Sequence, residues 1–435
     1  MGACVGWSDG RKNGPVELEQ FGELRTPEGL AALDSAARMA GHDPLAAAAA
    51  LRSDGVPGGL AAAALTQADL RRRAAGKFGL LAARMFFTRP GLEQATRQIV
   101  ADRRARRLRA AGVNTLADLG CGLGADALAA ARTGIQVYAV EADPLTAALV
   151  EANVQAAGLA DLVTVECGDA TTFDVTRVDA VFCDPARRRA GTGRRIFDPN
   201  AYSPPWDFVT GLAERVPRTV VKVAPGIDHA LLPTGVEAEW VSIDGDLVEA
   251  ALWCGELAQL PRRATLCTER RPVDASARAG ASVDRPGDGA HRDDGPTAYQ
   301  LTGAGTREAP VGPVRRFVYD PDPAVVRAHL IAELSAELDA TLADPTIAYL
   351  YADAARPTPY ARCLEVTDVL PFSLKRLRAL LRDRRVGRVE ILKRGSAVEP
   401  ERLRRDLRLA GDQSTSLVLT RVAAAPTVLV CRPVS

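Results

Sequence analysis

The run Leu116-Ala-Asp-Leu-Gly-Cys-Gly-Leu-Gly-Ala-Asp126 constrains this chain more than any other stretch. Residues 115–119 form a short apolar run that reads as a buried strand. Glycines follow at 120, 122 and 124, and the Ala-rich run 125–131 reads as a helix. Strand, glycine turn and helix open a nucleotide-binding βαβ unit. One glycine permits the tight turn, and another lets the backbone approach a ligand with no Cβ in the way. The pattern repeats downstream. Residues 136–140 read as a strand ending on Glu141, and 161–166 as one followed by Gly168-Asp169-Ala170. Residues 178–183 read as a strand ending in Asp184-Pro185. Each strand end carries a polar residue where a doubly wound sheet meets its ligand.

Taken together, these residues resemble a class I S-adenosylmethionine-dependent methyltransferase. Asp118, Gly120, Gly122 and Gly124 resemble the first motif of that family, which lies under the methionine part of the cofactor. Glu141 matches the acid that binds both ribose hydroxyls. Asp169, with Ala170 after it, matches the acid near the adenine amino group. Asp184 and Pro185 match the fourth motif, at the mouth where methyl is transferred. A dehydrogenase would more often place its third glycine three residues after the second; here the spacing is two. The resemblance implies S-adenosyl-L-methionine as cofactor. It also implies an α/β fold with a Rossmann-like seven-stranded sheet, the last three strands being read at 216–224, 238–243 and 249–253.

A chain of 435 residues has room for two or three domains. Residues 1–110 read as a helical N-terminal region whose first fifteen residues are disordered. Residues 111–268 are the catalytic domain, 269–312 a linker or disordered insertion, and 313–435 a small α/β domain. Eight cysteines are scattered without a C-x-x-C pair, and no two of the four histidines are close. No metal site is therefore expected. The Ala-rich stretch 45–65 is broken by Arg52, Asp54 and Pro57, and the first ten residues, without a basic segment followed by an apolar one, are not expected to be a leader. The expectation is no membrane partner and a cytoplasmic compartment. Oligomeric state is not legible.

The N-terminal region should hold a helix capped by Thr26, and one long basic helix from Pro90 to Arg109. The basic residues between Arg71 and Arg109 read either as solvated helix faces or as a phosphate-facing rim. In the C-terminal domain, helices are expected at 323–340, 373–383 and 399–407. Strands are expected at 347–351, 363–369 and 385–393, with a closing hairpin at 414–422 and 426–431. Between Lys375 and Arg408 stand thirteen basic and five acidic residues, in a chain whose net charge is +1. Such a local excess is an electrostatic footprint for phosphates or a set of solvated helix faces. The runs Tyr319-Asp-Pro-Asp-Pro323, Pro371-Phe-Ser-Leu-Lys375, 387–395 and Leu419-Thr-Arg421 resemble the THUMP-like C-terminal domain of a group of bacterial methyltransferases. That resemblance implies RNA as the substrate partner.

The acceptor site reads less clearly. Methyltransferases of exocyclic amines carry Asp, Asn or Ser, then Pro-Pro and an aromatic ring. Here Asp184-Pro185 is followed by Ala186-Arg187, so the carboxylate is kept and the ring is lost. Ser203-Pro-Pro-Trp206 fits that pattern literally but follows no apolar strand, and reads as a rigid loop that walls the substrate pocket. Trp206 or Tyr202 could supply the missing ring. Arg187 and Arg188 read as solvated loop charges or as phosphate clamps. Lys222 has no assigned role. A small-molecule or protein methyltransferase, and a non-catalytic RNA-binding protein on the cofactor fold, are the alternatives.

Overall fold

The computed structural model describes residues 15–39, 41, 43–187, 202–269 and 298–434. Most of the start expected to be disordered and most of the segment expected to be linker lie outside the described residues, as does Arg188. The described residues form two compact units. The first takes residues up to 224 with 228–236 and 251–258; the second takes 225–227, 237–250 and everything from 259 onward.

The first unit opens with helices α1 (Pro15–Leu24), α2 (Pro27–Arg38), α3 (Pro44–Ser53) and α4 (Gly58–Phe78). Thr26 Oγ1 accepts the Gly29 amide at 3.1 Å, which is the cap expected of Thr-Pro-Glu-Gly. The single basic helix expected from Pro90 to Arg109 is instead two, α5 (Arg89–Gln94) and α6 (Gln98–Ala110). Lys77 at the end of α4 explains the break. Its Nζ donates to the carbonyls of Leu92, Glu93 and Ala95 at 2.6, 2.9 and 3.1 Å. Those carbonyls are the orphans at a helix C-terminus, and a cation satisfies them. Ala95 then leaves helical backbone, at φ −56° and ψ 137°.

The sheet of this unit follows. Its elements are β1 (Thr115–Leu119), α7 (Ala125–Arg132), β2 (Gln136–Glu141), α8 (Pro144–Ala157), β3 (Val163–Cys167) and β4 (Ala180–Cys183). A two-residue ribbon, β5 (Ala186–Arg187) with β6 (Tyr202–Ser203), leads to α9 (Trp206–Arg215) and β7 (Thr219–Val223). The parallel order is β7-β4-β1-β2-β3. The direction of winding reverses at β1, which has β2 on one side and β4 on the other. That reversal is the crevice where open α/β sheets bind ligands.

In the second unit, β8 (Glu237–Ile243) is followed by β9 (Asp246–Trp253), whose last three residues belong to the first unit. All seven strands read from the sequence are present. The order does not stop there: β10 (Arg262–Cys267) pairs parallel with β8, and β11 (Ala298–Gly303) pairs antiparallel with β10. The seven-strand expectation therefore undercounts. Residues 298–303, read as linker, form a strand because β10 offers them an edge. A small second sheet follows from β12 (Phe317–Pro321), α10 (Pro323–Arg327), α11 (Ile331–Leu338), β13 (Thr341–Leu342), β14 (Leu350–Ala352) and β15 (Ala361–Pro371). It is completed by α12 (Leu374–Asp383), β16 (Val386–Lys393), α13 (Pro400–Leu407), β17 (Gln413–Val422) and β18 (Ala425–Pro433). Its order is β13-β14-β12-β15-β18-β17-β16. The helix expected at 323–340 is split by His329, which takes a left-handed φ of 59°. Leu377 and Leu381 of α12, with Leu403 and Leu407 of α13, pack on Leu417, Leu419 and Val428.

Candidate functional site

The C-terminal ends of β1, β2 and β4 converge on the glycine turn. The amides of Gly120 and Cys121 both donate to the Val140 carbonyl, at 2.9 and 3.1 Å. The Asp184 amide donates to Leu119 at 3.3 Å. Gly120 has φ +85°, and a Cβ there would stand 3.1 Å from the Asp184 carbonyl oxygen. The turn thus rests on the backbone of Asp184, which only glycine allows. At Gly122 a Cβ would meet nothing within 4 Å, so the turn is open on that side.

Beneath the turn lies a buried charge cluster. Asp118 is 1% exposed, and neither carboxylate oxygen has a hydrogen-bond partner of normal geometry among the described residues. Burial holds its carboxyl well above the usual range. Neighbouring Asp126 and Asp184 push the same way, and Arg104 and the Ala127 amide oppose. Arg104 itself pairs with Asp126 and lies 4.4 Å from the Phe182 ring centroid. A buried, unpaired carboxyl is costly, and such groups cluster where ligands bind. Asp118 is therefore suited to a cationic group.

Glu141 accepts the Gly122 amide on Oε2 at 3.1 Å and the Asp143 amide on Oε1 at 2.9 Å. Burial raises its pKa and those two amides oppose. Each oxygen keeps a lone pair for a hydroxyl. Asp169 is exposed. Its Oδ1 accepts from the Thr171 amide and hydroxyl, both at 2.8 Å, and caps the turn that begins with buried Ala170.

Asp184 is held from an unexpected side. Lys222 Nζ on β7 donates to Asp184 Oδ2 at 2.7 Å and to Thr96 Oγ1 at 3.1 Å. Pro185 is buried beside it. Sequence reasoning missed Lys222 and Thr96. The signal was present for the lysine: it is the one charge in Thr219-Val-Val-Lys-Val223, a strand otherwise apolar enough for the core. The missed Asn153 rivets this region. Its Oδ1 accepts the Phe86 amide at 2.7 Å, and its Nδ2 donates to the carbonyls of Phe86 and Leu123 at 3.1 and 3.2 Å. Of the basic residues expected on solvated faces or a phosphate rim, several do neither. Arg71 donates to the Met85 carbonyl, and Arg107 lies 3.8 Å from the Trp253 ring centroid.

The two acceptor motifs that compete in sequence meet in space. The ribbon pairs Ala186 with Ser203 and Arg187 with Tyr202. Ser203-Pro-Pro-Trp206 therefore returns to the strand end that carries Asp184. Pro204 is buried, and half-buried Trp206 opens α9. The side chain of Arg187 lies outside the described residues.

Residues 117–186 match a family model described as a methyltransferase domain, 361–433 one described as THUMP domain-like, and 17–74 one described as a domain of unknown function. Proteins of Mycobacterium tuberculosis strains CDC 1551 / Oshkosh and ATCC 25618 / H37Rv, each named "Uncharacterized S-adenosylmethionine-dependent methyltransferase", are 36% identical over 384 residues. The match covers 84% of this chain and 95% of theirs. The chain belongs to the S-adenosylmethionine-dependent methyltransferases. The fold of this methyltransferase is similar to a solved "putative methyltransferase from Porphyromonas gingivalis W83", at TM-score 0.69 and 19% identity, covering 93% of this chain and 98% of that one. The residues present fit the cofactor, S-adenosyl-L-methionine. An unpaired buried Asp118 suits a cation, the open side of Gly122 leaves room, and Glu141 has lone pairs for hydroxyls. Among the described residues, no group of three His, Cys, Asp or Glu could hold a metal ion, and no helix is long and apolar enough to cross a membrane.

Proposed function

We propose that this methyltransferase acts on RNA, with the C-terminal domain binding the substrate and Asp184 receiving the proton that the acceptor loses. The observation that carries the RNA reading is a set of six exposed cations: Lys375, Arg376 and Arg382 on α12, Lys393 ending β16, Arg405 on α13 and Arg408 after it. None of their side chains makes an ion pair or hydrogen bond among the described residues, while the other seven basic residues of the run are bonded. Unpaired surface cations are what a phosphate backbone takes up. The THUMP domain-like match to 361–433 points the same way.

S-adenosyl-L-methionine supplies a methyl group on a sulfonium that departs as a neutral thioether. The protein's task is orientation and proton removal. Asp118 balances cofactor charge, Gly120, Gly122 and Gly124 shape the turn, Glu141 takes the ribose hydroxyls, and Asp169 with Ala170 meets the adenine. Asp184 Oδ1, which has no partner among the described residues, accepts the acceptor's proton, and the backbone carbonyl of Pro185 serves as a second hydrogen-bond acceptor for the same group. Trp206 replaces the ring lost at Arg187, and Arg187 with Arg188 clamps a phosphate. Cytoplasmic residence accords with the thiols of Cys121, Cys183 and Cys254, which are buried and in no disulfide among the described residues.

The test supplies methyl-labelled S-adenosyl-L-methionine to the full chain with total RNA, total protein and a small-molecule fraction from cells lacking it. Label in RNA that Asp184→Ala abolishes is expected. Label confined to protein or small molecules would sink the RNA reading and leave the methyltransferase standing.

A further inference from the structure

Asp184 does not stand alone at the transfer site. Its Oδ2 is taken by Lys222, whose side chain is 15% exposed against 35% for that of Asp184. Lys222 also donates to Thr96, a residue 6% exposed. Thr96 follows directly on the turn whose carbonyls, at Leu92, Glu93 and Ala95, are held by Lys77. A continuous bonded path thus runs from α4 through the α5–α6 turn to Lys222 and on to the carboxylate. The charged groups around it are Lys77 on α4, Glu93 on α5, Arg97 before α6, Arg104 on α6, Asp118 on β1 and Asp126 on α7.

We propose that Lys222, set by Thr96, is the positioning residue of methyl transfer: it fixes Asp184 by one oxygen and leaves the other to the acceptor. This rests on the proton-accepting role given to Asp184 above. A carboxylate on a single-bonded side chain turns freely about its last torsion. One charge-assisted bond at 2.7 Å removes that freedom, and it also fixes which oxygen is left for the acceptor. Lys222 has a second effect. Asp118 and Asp184 are near enough to raise the proton affinity of Asp118. A cation on Asp184 keeps two neighbouring carboxylates from competing for one proton. Lysine suits the place because its ammonium has three donors on a reach that a strand residue can extend past its end.

The proposal is tested on the full chain with Lys222→Met, Lys222→Arg and Thr96→Val. Three quantities are measured: the rate of label transfer to whichever cell fraction the unmodified chain labels, cofactor affinity by calorimetry, and melting temperature. Lys222→Met is expected to slow transfer about 10²- to 10⁴-fold, the range of a lost acid–base arrangement. Cofactor affinity should stay within about twofold. Lys222→Arg should recover part of the rate, and Thr96→Val should lose about tenfold, since it removes only the second bond. Transfer by Lys222→Met at near the unmodified rate would overturn the proposal. So would a loss of rate that tracks melting temperature or cofactor affinity, or an arginine variant no better than methionine. Label in protein rather than RNA would sink the RNA reading alone and leave Lys222 to be judged by these variants. A chain that binds cofactor and labels no fraction would overturn both.

Discussion

Arg104 on α6 and Arg405 on α13 both sit in runs of arginine, yet Arg104 is 3% exposed against the Phe182 ring and Arg405 stands in solvent. The helix period separates them. On α6 the buried residues are Val100, Ala101, Arg104, Ala105 and Leu108, so Arg104 occupies the apolar stripe at i and i+4 from Val100 and Leu108. On α13 the stripe is Leu403 and Leu407, and Arg402, Arg404 and Arg405 fall off it. The same holds on α12, where Leu377 and Leu381 are buried and Lys375, Arg376 and Arg382 are not. Guanidinium can enter a stripe because it is planar, weakly hydrated and stacks on rings. The number of basic residues in a run therefore does not locate a phosphate surface. Their phase on the helix decides which of them reach solvent.

The largest effect should come from breaking the inward case. Arg104→Met leaves Asp126 buried without its partner, beside an already raised Asp118. Removing one partner of a buried pair costs about 3–5 kcal/mol, read as a shift in urea midpoint at constant slope. Adding Asp126→Leu should return most of it, since the stranded charge is then gone. Neither variant should change the salt dependence of RNA binding. A change there would mean that Arg104 also contributes to the RNA surface.

The next effect comes from a buried acid. Burial first, then Asp126 and Asp184, hold the folded pKa of Asp118 well above its unfolded value. A group of that sign contributes stability that is full below the unfolded pKa, about 4, and is lost as pH rises through the folded pKa. The cofactor-free chain should therefore be strained by Asp118 at neutral pH. Asp118→Asn should raise its melting temperature while weakening cofactor binding. In the unmodified chain, binding of the cationic cofactor should favour the ionised form of Asp118. Calorimetry in two buffers of different ionisation heat should find proton release on binding, and affinity should fall as pH is lowered. No proton release would show that Asp118 is already ionised.

The outward case should behave in the opposite way. Exchanging Lys375, Arg376, Arg382 and Arg405 together for Gln should change stability by about 0.5 kcal/mol or less, as for surface sites without partners. The log–log salt slope of binding to single-stranded RNA should fall in magnitude by up to about 3, at roughly 0.7 for each phosphate no longer neutralised. An unchanged slope would remove the surface from the proposed function.

Which parts of this could be read in advance follows from the same periodicities. Strand ends at Asp118, Glu141, Asp169 and Asp184 were legible because each acid follows an apolar run and precedes a turn, a local pattern. The C-terminal helices at 373–383 and 399–407 and the closing hairpin were legible for the same reason, whereas the split at His329 was not. The break between α5 and α6 was not, because Lys77, fifteen or more residues away, causes it. Strand β11 was missed because Ala298–Gly303 has no buried residue and is a strand only beside β10. The bond from Lys222 to Asp184 spans 38 residues and joins two strand ends, so no window of sequence contains it.

The smallest effect belongs to a third kind of arginine, paired yet exposed. Arg362 on β15 meets Glu390 on β16 through two bonds, one of 2.7 Å from Nη2 to Oε2, and Ser416 donates to the same carboxylate at 3.0 Å. Arg362 first, with Ser416 assisting against burial, lowers the pKa of Glu390. The sign is the reverse of that for Asp118: the contribution is present above the unfolded pKa of about 4.3 and lost as pH falls through the depressed folded value. Both side chains are nearly half exposed, so solvent screens the pair to about 1 kcal/mol or less. Arg362→Gln should lower stability by that amount at pH 7 and by nothing measurable once Glu390 is protonated, in denaturant titrations at the two pH values. A loss approaching that of Arg104→Met would mean that exposure does not rank these arginines, and the distinction drawn from helix phase would fail with it.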